Sequence, residues 1–593
     1  MSVSSNYKEA KEKYELKEKA VAYYQENGVP QKMEEILNSM FFDNPEDVYG
    51  HLANYFEKFI KPPLITKLTA RQVLNGRGHP TIQTQVYCKI KNTERVYSTC
   101  VSPSPNSHLM DNAKLEEREA DDQRKAESVK MAISYIGDEI STKLKGMKPN
   151  QQMEIDALIG LYMQMIKEEE YARKQLEEVE APVEEVKPPV SVSPKEKKGK
   201  ERNSAKGKGG KSGSAVVIPE EPREVFVQGA ELVSAVSQAV CVAGAKSLEL
   251  PVYQHIANLY NPEATQLRMP LPMVPIMQSG KAAAGKHNCI KEFMIIPSPG
   301  LSYTQSLDYI TGIYNYVEKT LSVKGGAAAR SVCETGALCP VFDKPEQGLD
   351  LLVEAITAAN LTPGEDMHIA INAAAHEMFD FEKGKYEVTT GQPKSGDDIV
   401  DFWVELMSRY PAIMVIIDPL RKQEKNQWMR LCDRITERCF VGGNRIYPRA
   451  SLLKDATLPD PIMSGASVLA FENLTHVSDL CACVKKMEDA GNQVILTARA
   501  GETQDDFLAD LAVGMNVRFI QMGAPNRGER VSKYNRLLQI ESELEASGKL
   551  APQVDHEFKH IALPDNEEGE LGAAISPTIS PRKEEGKERG KKK

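Results

Sequence analysis

The sequence has no long hydrophobic run and no arrangement of cysteines typical of a stapled or secreted protein. The 593-residue chain contains no apolar stretch of about 20 residues, the length that crosses a bilayer, so we expect no membrane partner. Its first residues are charged and polar, unlike a secretory signal. The ten cysteines are scattered without a CxxC pair, which favours reduced thiols in the cytoplasm over a disulfide framework or a zinc site.

An excess of basic charge is also absent. Lys and Arg number 74 against 84 Asp and Glu, a formal net charge of −10, which argues against a surface built for nucleic acid. Hydrophobic residues are plentiful at 41%, enough for a large core. The length exceeds the roughly 100–200 residues of one domain, so the sequence predicts several domains or one large barrel with additions.

Composition divides the chain into a charged helical head (1–62), a globular part (63–168), a low-complexity stretch (169–222), an apolar periodic region (223–550) and a polar tail (551–593). The stretch 169–222 is acidic and then rich in lysine, glycine and proline, and such compositions cannot bury enough apolar surface to offset chain entropy. We therefore expect 169–222 and the tail to be disordered. Contact of the basic stretch with an acidic surface is the alternative.

The head carries two apolar helical faces. The first comprises Val29, Met33, Ile36, Leu37, Met40 and Phe41. After a break, Asn44 is predicted to cap a second helix that begins at Pro45. The second face comprises Val48, Leu52, Tyr55, Phe56 and Phe59. Such a hairpin either dimerises into a four-helix bundle or packs on the rest of its own chain.

The head stretch NGVPQKMEEILNSMFFDNPEDVYGHLANYF resembles the RIIa/Dpy-30-like docking and dimerisation module. The shared features are the proline before the first helix, the x-Pro-x-Asp turn and the Leu-Ala-x-Tyr-Phe ending of the second helix. The resemblance implies a dimer whose groove binds an amphipathic helix of a scaffold protein, often in cilia and flagella.

Apolar runs alternate with helical patterns after residue 223. The runs are KEFMIIP, MHIAINAAA, IMVIIDP, RCFVGG, ASVLAF, QVILTA and RFIQMG. Repeated alternation of this kind predicts a parallel α/β barrel, in which chemistry lies at the carboxyl ends of the strands.

Three long stretches resemble the enolase family. They are RQVLNGRGHPTIQTQVY, LPMVPIMQSGKAAAGKHNCIKEFMIIPSPG and GETQDDFLADLAVGMNVRFIQMGAPNRGERVSKYNRLLQIESEL. With its head and insertion, the chain most resembles the divergent sperm-type enolases. The resemblance implies an α+β cap (63–168 and 223–262) before a TIM-like barrel (263–550). It also implies Mg²⁺ as cofactor, a homodimer or a mixed dimer with another enolase, and conversion of 2-phosphoglycerate to phosphoenolpyruvate and water.

The positions that the resemblance assigns to Mg²⁺ ligands carry no charge. They are Asn372 in IAINAAAHE, Ile417 in VIIDP and Gly443 in VGGNR. Asp418 follows Ile417 directly, but consecutive strand residues point to opposite faces. Because Mg²⁺ prefers anionic oxygen ligands, we expect these positions not to hold it as the family does.

The implied catalytic positions are altered in the same way. Ala470 in VLAFENLTH stands at the base position, and Thr335 in CETGA at the acid position, with Glu334 available if the register shifts by one. Gln521 in IQMGAP replaces the lysine that clamps the substrate. Further altered positions are Gly76, Ala283, Ala498 and Ala500.

Several charged residues of the implied site are kept. They are Glu292 and Arg499 at substrate-binding positions, and Arg77, Glu502 and Arg527 with Gly501 around them. They are either remnants of a ligand pocket or structural ion pairs, which are costly to break from one side. The interpretation that follows is an enolase-type protein with a degraded site, serving as a dimeric structural or docking part of a cilium or sperm flagellum. The alternatives are an active phosphopyruvate hydratase and a non-catalytic pocket for a phosphorylated ligand.

Overall fold

The structure, a computed structural model, describes residues 2–105, 114–180, 226–282, 289–325, 331–389, 391–459 and 462–563. The chain divides into two compact units, residues 1–64 with 88–95, and the remainder. Ala283, most of the stretch 169–222 and the tail beyond 563 lie outside the described residues. Within the described ranges, no helix has the length and apolar character that a membrane span requires.

The first unit begins with three helices, α1 (Ser2–Glu26), α2 (Val29–Asp43) and α3 (Val48–Glu57). The prediction that Asn44 caps the second helix is wrong. Asn44 instead ends α2 in the left-handed conformation, with φ 43° and its N–H donating to the Met40 carbonyl. Asparagine tolerates that conformation better than most residues. The cap of α3 is Asp47, whose carboxylate accepts from the Gly50 N–H at 2.8 Å.

The cap domain that precedes the barrel combines a three-stranded sheet with helices. Its strands are β1 (Leu64–Leu74), β2 (Pro80–Ile90) and β3 (Thr93–Val101), in that order. Its helices are α4 (Leu115–Tyr135), a short π-helix (Ile136–Ile140), α5 (Ser141–Leu144), α6 (Gln152–Glu180), α7 (Leu232–Ser247) and α8 (Val252–Tyr260). The predicted boundary at 169 is wrong, because α6 continues to Glu180. Glu, Lys, Arg, Gln, Ala and Leu dominate this acidic run, and all favour helix.

A nine-stranded sheet of order β4-β15-β14-β13-β12-β11-β7-β6-β5 follows the cap. The strands are β4 (Leu271–Pro272), β5 (Val274–Gln278), β6 (Glu292–Pro297), β7 (Met367–Asn372), β11 (Ile413–Ile417), β12 (Phe440–Gly443), β13 (Ala466–Ala470), β14 (Gln493–Thr497) and β15 (Phe519–Gln521). Since only Met273 separates β4 from β5, one stretch of chain forms both edges and the sheet closes into a barrel. The predicted α/β fold class is confirmed.

The expectation of a wholly parallel barrel is wrong for one strand. β6 runs antiparallel to both β5 and β7, whereas the other barrel pairs beyond β7 are parallel. Antiparallel neighbours need no crossover helix, so the chain can return from Gln278 to Glu292 directly beside β5.

Helices connect the barrel strands, and a small sheet lies beside them. The helices are α9 (Tyr303–Gly325), α10 (Pro345–Ala358), α11 (Gly396–Arg409), α12 (Lys425–Ile435), α13 (Ala450–Leu453), α14 (Val477–Asp489), α15 (Phe507–Gly514) and α16 (Gly528–Ala546). The small antiparallel sheet comprises β8 (Phe379–Asp380), β9 (Lys385–Glu387) and β10 (Pro393–Lys394).

The chain after α16 packs against the end of the barrel where the parallel strands begin, which we call the floor. The Phe558 ring lies 4.6 Å from that of Phe440, and His556 stacks on Phe519 at 6.1 Å. The Ile561 N–H donates to Thr436 Oγ1 at 2.9 Å. The prediction of a disordered tail is therefore wrong for residues 551–563, because aromatic side chains among its polar residues pack, half-buried, against the floor.

Candidate functional site

The opposite end of the barrel, which we call the rim, is formed by residues at the ends of eight neighbouring strands of the closed sheet. Neighbouring pairs along it are Gln278 with Glu292, Glu292 with Asn372, and Asn372 with Ile417. The circuit continues through Gly443, Ala470, Thr497 and Gln521 at the ends of their strands. The residues singled out at strand ends in the sequence therefore surround one opening.

Glu292 is the centre of a hydrogen-bond network at the rim. Its carboxylate accepts from the side-chain amides of Gln278 at 2.6 Å, Asn372 at 2.8 Å and Gln521 at 3.2 Å. The side chain is 5% exposed, so this charge is held by three neutral donors rather than by a cation. Hydrogen bonds to a charged acceptor are stronger than those between neutral groups. We call these four residues the amide cage.

The three implied ligand positions offer little to a cation. The Asn372 amide nitrogen faces Glu292, and its oxygen accepts from the Ala374 N–H at 3.1 Å. Ile417 is 1% exposed and belongs to an apolar cluster inside the barrel. At Gly443, an added Cβ would lie 2.2 Å from Ile446 Cγ2 and 3.2 Å from the Tyr447 ring. Side chains of the following loop already occupy the space that a carboxylate there would need.

Asp418 does not substitute for Ile417. It is buried and accepts from the backbone N–H groups of Asn444 at 2.8 Å and Arg445 at 3.2 Å. Burial raises the pKa of its carboxyl, opposed by these two hydrogen bonds. The residue thus holds the loop after β12.

The implied base and acid positions hold no titratable side chain. Ala470 ends β13 and is buried. The Thr335 carbonyl accepts from the Ala524 N–H at 2.8 Å, and its hydroxyl lies 3.0 Å from Cys333 Sγ. The neighbouring Glu334 binds Arg77 and accepts from the Gly501 N–H. Glu334 is therefore already engaged by an arginine and by a backbone donor of neighbouring loops.

Arg499, the retained arginine, is held by neighbours from other strands. Its Nε donates to Glu472 at 2.9 Å, and an Nη donates to the Asn444 side chain at 3.3 Å. Glu472 is 6% exposed and lies two residues beyond Ala470. The arginine therefore already has a carboxylate and an amide partner on the same side of the barrel.

Two glycines bring the loops above the rim close together. The Gly76 N–H donates to the Glu502 carbonyl at 2.9 Å, and a Cβ at Gly76 would lie 2.9 Å from that oxygen. Gly501 has φ +71°, and a Cβ there would meet Asn75 and Ser104 at about 3 Å. Restoring a serine at position 76 would require this backbone contact to open.

Comparison with known proteins assigns both parts of the second unit. Residues 65–164 match the enolase N-terminal domain, and residues 266–557 match the enolase C-terminal TIM barrel domain. Enolase 4 of Xenopus laevis is 39% identical over 565 residues, covering 94% of this chain and 97% of the relative. The chain belongs to the enolase family. Human Enolase 4 is 35% identical over 590 residues, covering 95% of this chain and 93% of the relative.

A further relative does not carry the name Enolase 4. The Enolase of the archaeon Methanopyrus kandleri is 28% identical over 500 residues, which is 83% of this chain and 99% of the relative. Enolase relatives thus cover the cap and the barrel almost completely.

Enolases as a family use Mg²⁺, and the residues present here do not fit it. Among the described residues, no cluster of three or more His, Cys, Asp or Glu side chains could hold a metal ion. Glu292, the one carboxylate of the amide cage, already accepts three hydrogen bonds. An amide turned away, an isoleucine and a filled glycine position complete the set, so no catalytic step through a metal is derived.

The sequence alone did not single out Gln278, Asn444 or Glu472. Each is a polar residue at, or just beyond, the end of an apolar barrel strand. That placement is the signal that could have found them, because parallel strand ends converge at one rim. Their partners come from other strands, so their roles emerge only once the barrel closes.

Proposed function

We propose that this enolase-family chain is non-catalytic and serves as a dimeric docking component of a cilium or sperm flagellum. The observation that carries the first part is the filled rim. Where the family has its base and metal ligands, the strands end in Ala470, Ile417 and Gly443. A Cβ at Gly443 would overlap Ile446.

The magnitude of the missing chemistry supports this reading. A general acid or base contributes about 10²–10⁴-fold to a rate, and a metal ion stabilises developing charge by several kcal/mol. Such groups act as a unit, so replacing one of them does not restore the rest. The fold can persist without them, since a barrel is stabilised by its core and not by its active site.

The head supports the second part of the proposal through an uncovered apolar face. Ile36 is 1% exposed and is the one buried residue of the α2 helix. Leu37 is 49% exposed, Phe41 81% and Val48 41%, so another side of the hairpin remains apolar and open. We call Leu37, Phe41 and Val48 the outer head face.

An outer apolar face of this kind is what a four-helix bundle buries when two hairpins associate. The apolar surface that remains exposed on such a bundle can bind the side chains at positions i, i+3, i+4 and i+7 of an amphipathic helix. Placement in a cilium or flagellum rests on the resemblance of the head to docking modules of those organelles. Whether the barrels also pair, with each other or with another enolase, is a separate proposal.

Two adjacent residues of α2 give a matched test in the full chain. Ile36→Glu places an unpaired charge in the buried side and should unfold the head, lowering helical circular dichroism. Leu37→Glu should leave the helices intact while abolishing the dimer in sedimentation and the capture of an amphipathic scaffold helix. A Leu37→Glu protein that sediments and binds like the parent would overturn the docking proposal. The same holds for a parent chain that is monomeric.

A further inference from the structure

Two of the ten cysteines differ from the others in their exposure. Eight are buried, while Cys333 and Cys339 are partly exposed, and none of the ten forms a disulfide. Both stand on one short loop, CETGALC, beside the implied acid position. A thiol must be accessible to solvent to react, and the two partly exposed thiols among the described residues lie on this loop.

The loop folds back on itself and places the two cysteines on facing arms. Val332 and Leu338 form an antiparallel bridge. The Cys333 N–H donates to the Ala337 carbonyl and the Cys339 N–H to the Ser331 carbonyl, each at 2.9 Å. Residues 333 and 339 are therefore diagonal neighbours on the same side of the hairpin. The Cys339 thiol hydrogen-bonds to the Cys333 sulfur.

The turn of the hairpin is anchored from three directions. Glu334 binds Arg77 and the Gly501 N–H. The Thr335 carbonyl accepts from Ala524, and the Gly336 carbonyl accepts from the Tyr314 hydroxyl at 2.9 Å. These contacts hold the two arms of the hairpin in register.

The environment distinguishes the two sulfurs chemically. Hydrogen bonds from Cys339 and Thr335 lower the pKa of Cys333 to about 6, against the opposing effect of burial. The pKa of Cys339 is raised, mainly by that same hydrogen bond. Burial instead raises the pKa of other thiols, such as Cys432 and Cys481, to about 12. Because the thiolate is the nucleophile, Cys333 is the sulfur that attacks first.

We propose that Cys333 and Cys339 form a peroxide-reactive dithiol that closes to a disulfide at the barrel rim. The Cys333 thiolate attacks one oxygen of hydrogen peroxide, the O–O bond breaks, and a sulfenic acid and water form once the leaving hydroxide takes a proton. The Cys339 thiol then loses its proton and attacks the sulfenic sulfur, forming the S–S bond and releasing the second water. Two thiols lose two electrons, and the peroxide is reduced to two waters. A cellular thiol reductant reverses the step by exchange.

The test treats the purified full chain with hydrogen peroxide, blocks remaining thiols and identifies each cysteine's state by mass spectrometry. We expect a Cys333–Cys339 disulfide, with Cys432 and Cys481 still thiols as internal controls. Cys339→Ser should accumulate a sulfenic acid on Cys333, trapped by dimedone, and Cys333→Ser should lose both products. A second measurement follows alkylation of Cys333 by iodoacetamide against pH, with the rate expected to rise through about pH 6.

Three results would overturn the proposal. They are a parent chain in which Cys333 oxidises no faster than the buried cysteines, one in which it passes to sulfinic acid without a disulfide, and a Cys333→Ser chain that oxidises Cys339 equally fast. The proposal does not depend on the docking function of the head, and the oxidation states report on it directly.

Discussion

The floor and the rim are two ends of one barrel, and they are filled in different ways. At the floor, rings from β12, β15 and the segment 551–563 pack on one another, as with Phe440 against Phe558 and Phe519 against His556. At the rim, a single carboxylate is surrounded by amides, and the neighbouring strand ends are alanine, isoleucine and glycine. At both ends, these side chains make their contacts with other residues of the same chain.

The difference shows which part of the family's structure the fold needs. The floor supplies apolar burial, whose loss costs several kcal/mol per side chain. The rim of a catalytic barrel normally carries groups chosen for chemistry, often at a cost in stability. Here the rim holds a hydrogen-bonded polar network, and under the proposed function its residues serve the fold. Each prediction below would break or sharpen this contrast.

The largest effect is expected from the floor end of β15. Phe519→Ala removes a fully buried ring that stacks on His556, and we expect about 3–5 kcal/mol less stability in urea unfolding. Gln521→Ala, at the rim end of the same strand, is the matched control. It removes one hydrogen bond to Glu292 and should cost only about 1 kcal/mol. Equal losses at the two ends would remove the contrast.

An intermediate effect is expected within the amide cage. Asn372→Asp replaces the donor 2.8 Å from Glu292 with a second carboxylate, so repulsion should cost about 1–3 kcal/mol in thermal or urea unfolding. Because the surrounding residues do not fit Mg²⁺, adding it should not restore the lost stability. Glu292→Gln is the control, since it removes the charge while keeping the shape. Recovery of the Asn372→Asp protein by Mg²⁺ alone would show that the rim is still a metal site.

The smallest effect, taken per unit of pH, concerns the pH dependence of the floor. Burial, with Arg518 and His368 nearby, lowers the pKa of His556 to about 3. Above its ordinary value of 6.5 the residue is neutral in both states and contributes no pH dependence. As the pH falls from 6.5 towards 3, the unfolded chain takes up a proton that the folded chain does not, so stability decreases by less than about 1.4 kcal/mol per pH unit. His556→Gln should flatten this slope in unfolding measured at several pH values, and an unchanged slope would place the titration elsewhere.

Much of the barrel was predictable from the sequence because its strands are short, apolar and regularly spaced. Ala470, Asn372 and Gln521 could be placed at strand ends because the resemblance to enolases fixed their register. The antiparallel β6 was not predictable, since strand direction is set by the link before it and by pairing across the barrel. Phe558 was missed because one aromatic residue in a polar segment has no periodicity, and its partner Phe440 is distant in sequence.

The amide cage could not have been predicted from residue types alone. Asn372 and Gln521 differ from the residues that the family has there, but only the closed barrel brings both to Glu292. The filled position at Gly443 depends likewise on the conformation of the loop that carries Ile446. Both features require side-chain directions, and a sequence pattern specifies only which face of a strand a residue occupies.

The central claim is that the chain has the enolase fold without enolase chemistry, and the most direct test is turnover of 2-phosphoglycerate by the purified full chain with excess Mg²⁺. Arg499→Ala and Ala470→Lys are measured alongside it. We predict that all three proteins form phosphoenolpyruvate only at the same background rate. A background that Arg499→Ala leaves unchanged comes from contaminating host enolase. Turnover in the range of about 1–10³ s⁻¹ that Arg499→Ala abolishes would contradict the account, because it would show that this rim is still an active site.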